Sequence, residues 1–214
     1  MTTTNIATIR KEYKLKSLLE EKVDADPIKQ FQQWWKEALE SNVEEPNAMT
    51  LATCTKKGKP SARIVLLKGL NNNGFVFFTN YQSKKGTELD ENPNAALIFF
   101  WKELERQVRI EGSVKKLSEK ESDDYFVLRP EQSRIGAWSS PQSKVIKNRE
   151  VLEEMFTRYT IKFTDGTIKR PPHWGGYIVT PELIEFWQGR PNRLHDRLQY
   201  TLKKDEWEIE RLAP

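Results

Sequence analysis

Apolar residues recur at helical spacing near the start of the chain and at strand spacing over most of the rest. Behind Asp26-Pro27, an N-cap followed by a first-turn proline, Ile28, Phe31, Trp35 and Leu39 share one helical face, which predicts a helix lying on a sheet. From Ala48 the pattern shortens to β-branched and aromatic runs: Met49 to Thr55, Ala62 to Lys68 and Phe75 to Thr79, separated by Lys57-Gly58 and by Asn71 to Gly74. That is the pattern of an antiparallel meander. A short helix over Ser83 to Asn92 leads into a buried strand, Ala95 to Trp101, and then a strand from Arg106 to about Lys116. Ser118 and Glu121 form a capping box for a helix to about Leu128, which Arg129-Pro130 should stop. A further helix is expected from about Asn148 to Tyr159. Strands follow at Gly176 to Thr180, Leu183 to Gln188, Asp196 to Leu202 and Glu206 to Leu212, the last two joined by a turn at Lys203 to Asp205.

Short antiparallel strands with peripheral helices define an α+β domain built on a small β-barrel. No repeat or long linker divides the 214 residues, so residues 26–214 read as one domain behind a mobile N-terminal arm, residues 1–25. The longest apolar run, Ala95 to Trp101, is far too short to span a membrane, and the first residues lack a hydrophobic block that could serve as a signal peptide. A cytoplasmic protein is expected. The single Cys54 cannot form an intrachain disulfide, and with only His173 and His195 there is no zinc-site pattern. The glycines form no phosphate-binding fingerprint, so any phosphate must be held by Arg, Lys and hydroxyl side chains. A net charge of +4 does not by itself argue for nucleic acid.

The basic residues are nevertheless clustered. Lys56, Lys57, Lys59, Arg63 and Lys68 follow one another without an acid between them, and Arg63 and Lys68 bracket the core run Ile64-Val65-Leu66-Leu67. Cations at the ends of a core strand suit a bound anion, but strict alternation places Arg63 and Lys68 on opposite faces unless a bulge or strand end intervenes. A second group, Arg129, Arg134, Lys144, Lys147 and Arg149, is opposed only by Glu131. Tyr125 and Arg129 are one helical turn apart with Ser133 just beyond, which suits a phosphate clamp and equally suits a helix C-terminal cation beside a half-buried tyrosine. In Arg193-Leu194-His195-Asp196-Arg197 an extended chain projects Arg193, His195 and Arg197 to one face, where they repel unless an anion lies between them; pairing to acids on a neighbouring strand is the alternative.

The run Ile184-Glu185-Phe186-Trp187-Gln188, followed after four residues by Arg193 to Arg197, resembles the signature of the pyridoxamine (pyridoxine) 5′-phosphate oxidases. The ending Glu210 to Pro214, Arg63 to Lys68, Leu104 to Gln107, Gly136-Ala137-Trp138 with Gln142-Ser143, and Trp174-Gly175-Gly176 are similar too. The resemblance implies an FMN-binding split β-barrel, homodimeric, with flavin at the subunit interface. The implied reaction oxidises pyridoxamine or pyridoxine 5′-phosphate to pyridoxal 5′-phosphate, with O2 reoxidising the flavin to give H2O2. FMN would then be bound by Arg63, Ile64, Val65, Leu66, Leu67, Lys68, Phe78, Thr79, Lys84, Lys85, Gln107, Gln142, Ser143, Trp187 and Arg197. Lys68, Tyr125, Arg129 and Ser133 would hold the substrate phosphate. Arg193, Leu194 and His195 would lie against the substrate ring, with Arg193 and His195 catalytic, and Arg10 and Tyr13 would close over it. Lys84 and Phe78 stand where many relatives have arginine and tyrosine. Other readings are a split-barrel flavoprotein with another substrate, a non-catalytic pyridoxal phosphate carrier, and a basic barrel that binds single-stranded nucleic acid.

Overall fold

The computed structural model describes residues 5–8, 11–71, 73–164 and 166–214. Arg10, Asn72 of the expected turn and the first four residues of the arm lie outside the described residues. The described chain is α+β: five helices and a mostly antiparallel, open sheet whose strands form two compact units. One unit comprises residues 1–46, 98–110 and 182–214, and the other residues 47–97 and 111–181.

In the first unit, helix α1 (Pro27–Glu40) starts where expected, because the Asp26 carboxylate accepts the Ile28 N–H at 2.8 Å. Its buried face is Ile28, Phe31, Trp34 and Ala38; Leu39, expected inside, is 57% exposed. Trp34 takes the inward position because its indole lies between the Arg106 guanidinium, 4.2 Å from the ring centre, and the Phe186 ring at 5.1 Å. Phe31 packs on Phe99 and Trp101. The arm is stitched to this unit through its backbone. Leu18 N–H donates to Asp196, Leu18 C=O accepts from Arg211, and Asp24 C=O accepts from the Tyr200 hydroxyl. Strands β8 (Asp196–Lys203) and β9 (Glu206–Arg211) form the expected hairpin.

The second unit opens with the hairpin of β1 (Ala48–Cys54) and β2 (Pro60–Leu66), paired from Ala48↔Leu66 to Cys54↔Pro60 around Gly58, whose positive φ of 75° closes the turn. After β3 (Gly69–Asn71), β4 (Gly74–Asn80) and helix α2 (Lys84–Glu91), the strands β5 (Asn94–Trp101) and β6 (Arg106–Lys116) follow. Helix α3 (Glu119–Val127) carries the expected capping box, Ser118 and Glu121 each satisfying the other's backbone. Pro130 does end that helix, but it also starts another, α4 (Glu131–Ser139), which the sequence reading missed. Pro130 offers its C=O to Arg134 N–H, while Gly136 and two serines hide the helical pattern. Helix α5 (Glu150–Lys162) begins two residues later than expected.

With Trp174–Gln188 as β7, the strands hydrogen bond in the order β2-β1-β5-β6-β7-β4-β3, with β8 on β7 and β9 on β8. β7 (Trp174–Gln188) is one strand rather than the expected two. Its first half pairs with β4 and its second with β8, and Pro181, which has no N–H to give, stands at the change of partner. In the second unit Gly112 lets β6 approach that point: a Cβ there would lie 2.0 Å from the Thr180 carbonyl oxygen. Gly112→Ala should therefore destabilise the fold by about 3 kcal/mol, seen as a lower urea midpoint with no change in the slope of the transition.

Candidate functional site

A pocket of about 1150 Å³ opens in the second unit, lined by β2, β4, the start of α2, the end of α3 and α4. Arg63, Ile64, Val65, Leu66, Lys68, Phe78, Thr79, Lys84 and Lys85 all line it, as do Tyr125, Arg129, Ser133, Gln142 and Ser143. Arg63 and Lys68 share it because β2 ends at Leu66 and the chain turns into β3 at Gly69, which supplies the strand end that strict alternation required.

Lys85 is the most informative cation. It is 7% exposed and donates only to neutral oxygens: Thr79 Oγ1 at 3.1 Å, Ser83 Oγ at 3.4 Å and Gln142 Oε1 at 3.5 Å. Among the described residues no carboxylate pairs with it. Burial, and then the neighbouring Arg63 charge, holds its ammonium below the usual lysine range. A buried ammonium with neutral partners leaves room for an anion. Arg63 differs. The sequence reading gave it no acid, yet Glu88 on α2 reaches it at 3.3 Å. Glu88 also accepts from Thr53 and Ser61 at 2.6 Å each. Burial would raise the Glu88 pKa, but these donors and Arg63 outweigh it and hold the carboxyl below its ordinary value. Arg63 is thus fixed by both terminal nitrogens, to Leu51 C=O, Thr53, Ser61 and Glu88. No feature of the sequence pointed to Glu88.

On the α3 side Phe78 stacks on Tyr125 at 3.8 Å between ring centres and on Trp174 at 5.4 Å. The Arg129 guanidinium lies 4.5 Å over Trp174, and its buried Nη1 has no hydrogen-bond partner. Burial lowers the Arg129 pKa and raises that of Tyr125. Trp174 is the platform that places Arg129, a role its Trp-Gly-Gly motif had not disclosed. The other basic residues of that cluster do not join the site: Arg134 is half-buried outside the pocket lining, and Lys144, Lys147 and Arg149 are exposed.

Apart from Leu67, and from Arg10, which lies outside the described residues, the remaining expected residues lie in the first unit. Tyr13, Trp187 and His195 form a ring cluster, with centres 5.6 Å apart for Tyr13 and Trp187, 5.8 Å for Tyr13 and His195 and 4.6 Å for Trp187 and His195. His195 Nδ1 accepts the Arg190 N–H at 3.1 Å, so a neutral ring carries its proton on Nε2. Burial first, then Arg193, lowers its pKa against the opposing pull of Asp196. The expected common face of Arg193, His195 and Arg197 is not formed. Residues 191–193 make a tight turn, with Asn192 and Arg193 at positive φ, and β8 begins only at Asp196. Arg197 takes the alternative of a neighbouring-strand acid, pairing with Glu185 at 2.7 Å and with the Ala213 carbonyl at 2.8 Å. Leu194 is exposed, Gln107 is half-buried on β6, and Leu67 is buried away from the pocket with its N–H on Asn47 C=O. Among the described residues no cluster of three or more His, Cys, Asp or Glu could hold a metal ion, and no helix is long and apolar enough to cross a membrane.

The mostly antiparallel, open sheet is that of the split-barrel class, to which its fold neighbours also belong. Its fold neighbours include PhzG from Burkholderia lata in complex with tetrahydrophenazine-1-carboxylic acid, with a TM-score of 0.88 at 30% identity over 94% of this chain and 99% of that one. A pyridoxamine 5′-phosphate oxidase-related, FMN binding protein from Nostoc punctiforme shares the fold, with a TM-score of 0.68 at 18% identity over 86% and 97% of the two chains. The family described as pyridoxamine 5′-phosphate oxidase matches residues 35–162, and a pyridoxine 5′-phosphate oxidase C-terminal dimerisation region matches residues 174–214. A pyridoxine/pyridoxamine 5′-phosphate oxidase of Cyanothece sp. is 58% identical over 99% of this chain and 100% of its own. One of Paraburkholderia xenovorans is 55% identical over 99% and 100%. The chain belongs to the pyridoxamine 5′-phosphate oxidase family.

Lys85 yields a trade between stability and binding. Its folded pKa lies below the unfolded value, so between the two the unfolded chain binds more protons and stability rises with pH. Lys85→Met should make the ligand-free protein more stable by about 1 kcal/mol near neutral pH and remove that rise, while weakening phosphate binding. Urea unfolding across pH 7 to 10 and calorimetric titration with inorganic phosphate check both.

Proposed function

We propose that this chain is an FMN-dependent oxidase that converts pyridoxamine 5′-phosphate and pyridoxine 5′-phosphate to pyridoxal 5′-phosphate. The observation that carries the reading is the presence in one pocket of two separately built cationic seats, Lys85 with only neutral acceptors around it and Arg129 with an unbonded Nη1, each suited to a phosphate. Two phosphorylated ring compounds need two such seats. The pocket volume, about 1150 Å³, exceeds that of a typical single-ligand site, roughly 300 to 1,000 Å³. Bound there, FMN would supply the two-electron chemistry, as hydride acceptor from the substrate carbon with O2 as the final oxidant giving H2O2, the amine substrate also consuming water and releasing ammonia.

The protein's part is to bind, orient and control charge. Arg63, Lys84 and Lys85 would hold the flavin phosphate, with Ile64, Val65, Leu66 and Lys68 in the same pocket lining, Leu67 outside it, and Thr79, Gln142 and Ser143 supplying polar contacts. Arg63 arrives pre-set, because Glu88 and two hydroxyls fix its fork before any ligand binds. Arg129, with Tyr125, Ser133 and Lys68, holds the substrate phosphate. The stack of Phe78, Tyr125 and Trp174 keeps Arg129 from swinging away. The C-terminal dimerisation region makes the protein a homodimer. We place the two flavin sites at the subunit interface, where dimerisation brings Arg193, His195 and Trp187 to the pocket, with Arg10 and Tyr13 covering the substrate. His195, its pKa lowered by burial and by Arg193, presents in its neutral form an Nε2–H donor beside the Arg193 charge. The unpaired Cys54 fits a reducing compartment, and we assign the protein to the cytoplasm.

The visible spectrum of the purified protein is the direct test. Flavin absorption, released as FMN on denaturation, with peroxide formed from pyridoxamine 5′-phosphate, supports the reading; flavin without turnover of either vitamer would point to another substrate, and steeply salt-dependent oligonucleotide binding with no chromophore would overturn it. Arg193→Ala should lower kcat by about 100-fold, the loss of one charged contact to the reacting ring, with flavin content unchanged. Loss of the flavin with an unaltered substrate constant would sink that division of roles.

A further inference from the structure

We infer that Glu105 is a positioning residue that clamps the N-terminal arm so that Tyr13 stays on the Trp187–His195 cluster. Its carboxylate is 4% exposed and is met almost entirely by the arm. Oε2 accepts the Lys14 N–H at 2.8 Å and the Leu15 N–H at 3.2 Å, and Oε1 pairs with Lys11 Nζ at 3.3 Å. Two consecutive backbone donors aimed at one buried carboxylate fix both the height and the direction of the chain between them and Lys11.

The clamp is tied to the ring cluster from the other side. The Glu105 carbonyl accepts the Gly189 N–H at 2.7 Å and Gln188 Nε2 at 3.2 Å, so the residue that grips the arm also grips the strand end that carries Trp187. Tyr13 lies directly on Gly189, where a Cβ would come within 2.6 Å of its ring. The Lys11 ammonium sits 5.7 Å from the centre of the same ring. Glu105 is also held in left-handed conformation, φ 53° and ψ 40°, just after a tight turn. That position favours glycine or asparagine, so a glutamate there carries a backbone cost that its grip on the arm offsets.

The consequence for catalysis rests on the reading that Tyr13 covers the substrate; the clamp itself does not. Both can be measured on the flavin-loaded dimer with Glu105→Gly, which suits the backbone and removes the carboxylate, and Glu105→Gln, which keeps the shape and loses the charge. Limited trypsin digestion should cut after Lys11, Lys14 and Lys16 about tenfold faster in Glu105→Gly, and to a lesser degree in Glu105→Gln, while the urea midpoint of the whole protein holds or rises. With pyridoxamine 5′-phosphate the loss should fall on KM, raised about fivefold, rather than on kcat. Unchanged cleavage in both variants overturns the clamp, as does a fall in global stability that accounts for the faster cutting. Faster cleavage with an unaltered KM upholds the clamp and overturns the role given to Tyr13.

Discussion

Everything at the candidate site depends on the cost of taking cations out of water without giving them carboxylates. Lys85 is nearly enclosed, yet its partners are a threonine, a serine and a glutamine side chain. Arg129 spreads its guanidinium over an indole with one terminal nitrogen unbonded. Neither arrangement favours the ligand-free fold, because neutral oxygens and a π face return only part of the lost hydration. Their stabilisation is completed by a ligand with negative charge, and phosphate has the right charge and acceptor geometry.

The surrounding structure limits how those cations can relax. Arg63 is immobilised by Glu88, which offsets part of its charge and fixes its fork in the pocket wall before any ligand arrives. The contrast with Lys85 matters: of two neighbouring cations in the pocket, one is held in place by a carboxylate and the other meets only neutral oxygens. The flat stack of Phe78, Tyr125 and Trp174 does for Arg129 what the carboxylate does for Arg63, but without spending the charge. In the other unit, buried acids are used differently. Glu185 pairs with Arg197 and Arg109, and Glu105 takes backbone donors from the arm, so charge there serves to order chain segments.

Much of this was legible in the residues. The N-cap of α1, the capping box of α3, the β1–β2 hairpin and the strands of the C-terminal hairpin follow from local chemistry that needs no distant partner. The Tyr125–Arg129 spacing and the need for a strand end between Arg63 and Lys68 were visible for the same reason. The misses share an opposite cause. Helix α4 was hidden because Pro130 serves as both stop and start. The continuity of β7 was hidden because Pro181 marks a change of hydrogen-bond partner rather than a break. The face shared by Arg193, His195 and Arg197 failed because alternation holds only inside a strand, and Arg193 lies in a left-handed turn ahead of it.

By itself, then, the sequence determined the kinds of element, their approximate ends and the stock of cations, hydroxyls and rings from which a phosphate site could be made, since each rests on neighbours within a helical turn or a hairpin. Only the tertiary structure decided which cations are already held by a carboxylate. Glu88 reaches Arg63 across 25 residues of chain and Glu105 reaches the arm across about 90, while no acid reaches Lys85 or Arg129 among the described residues. Coulomb and hydrogen-bond energies depend on distance in space, and sequence separation does not encode it.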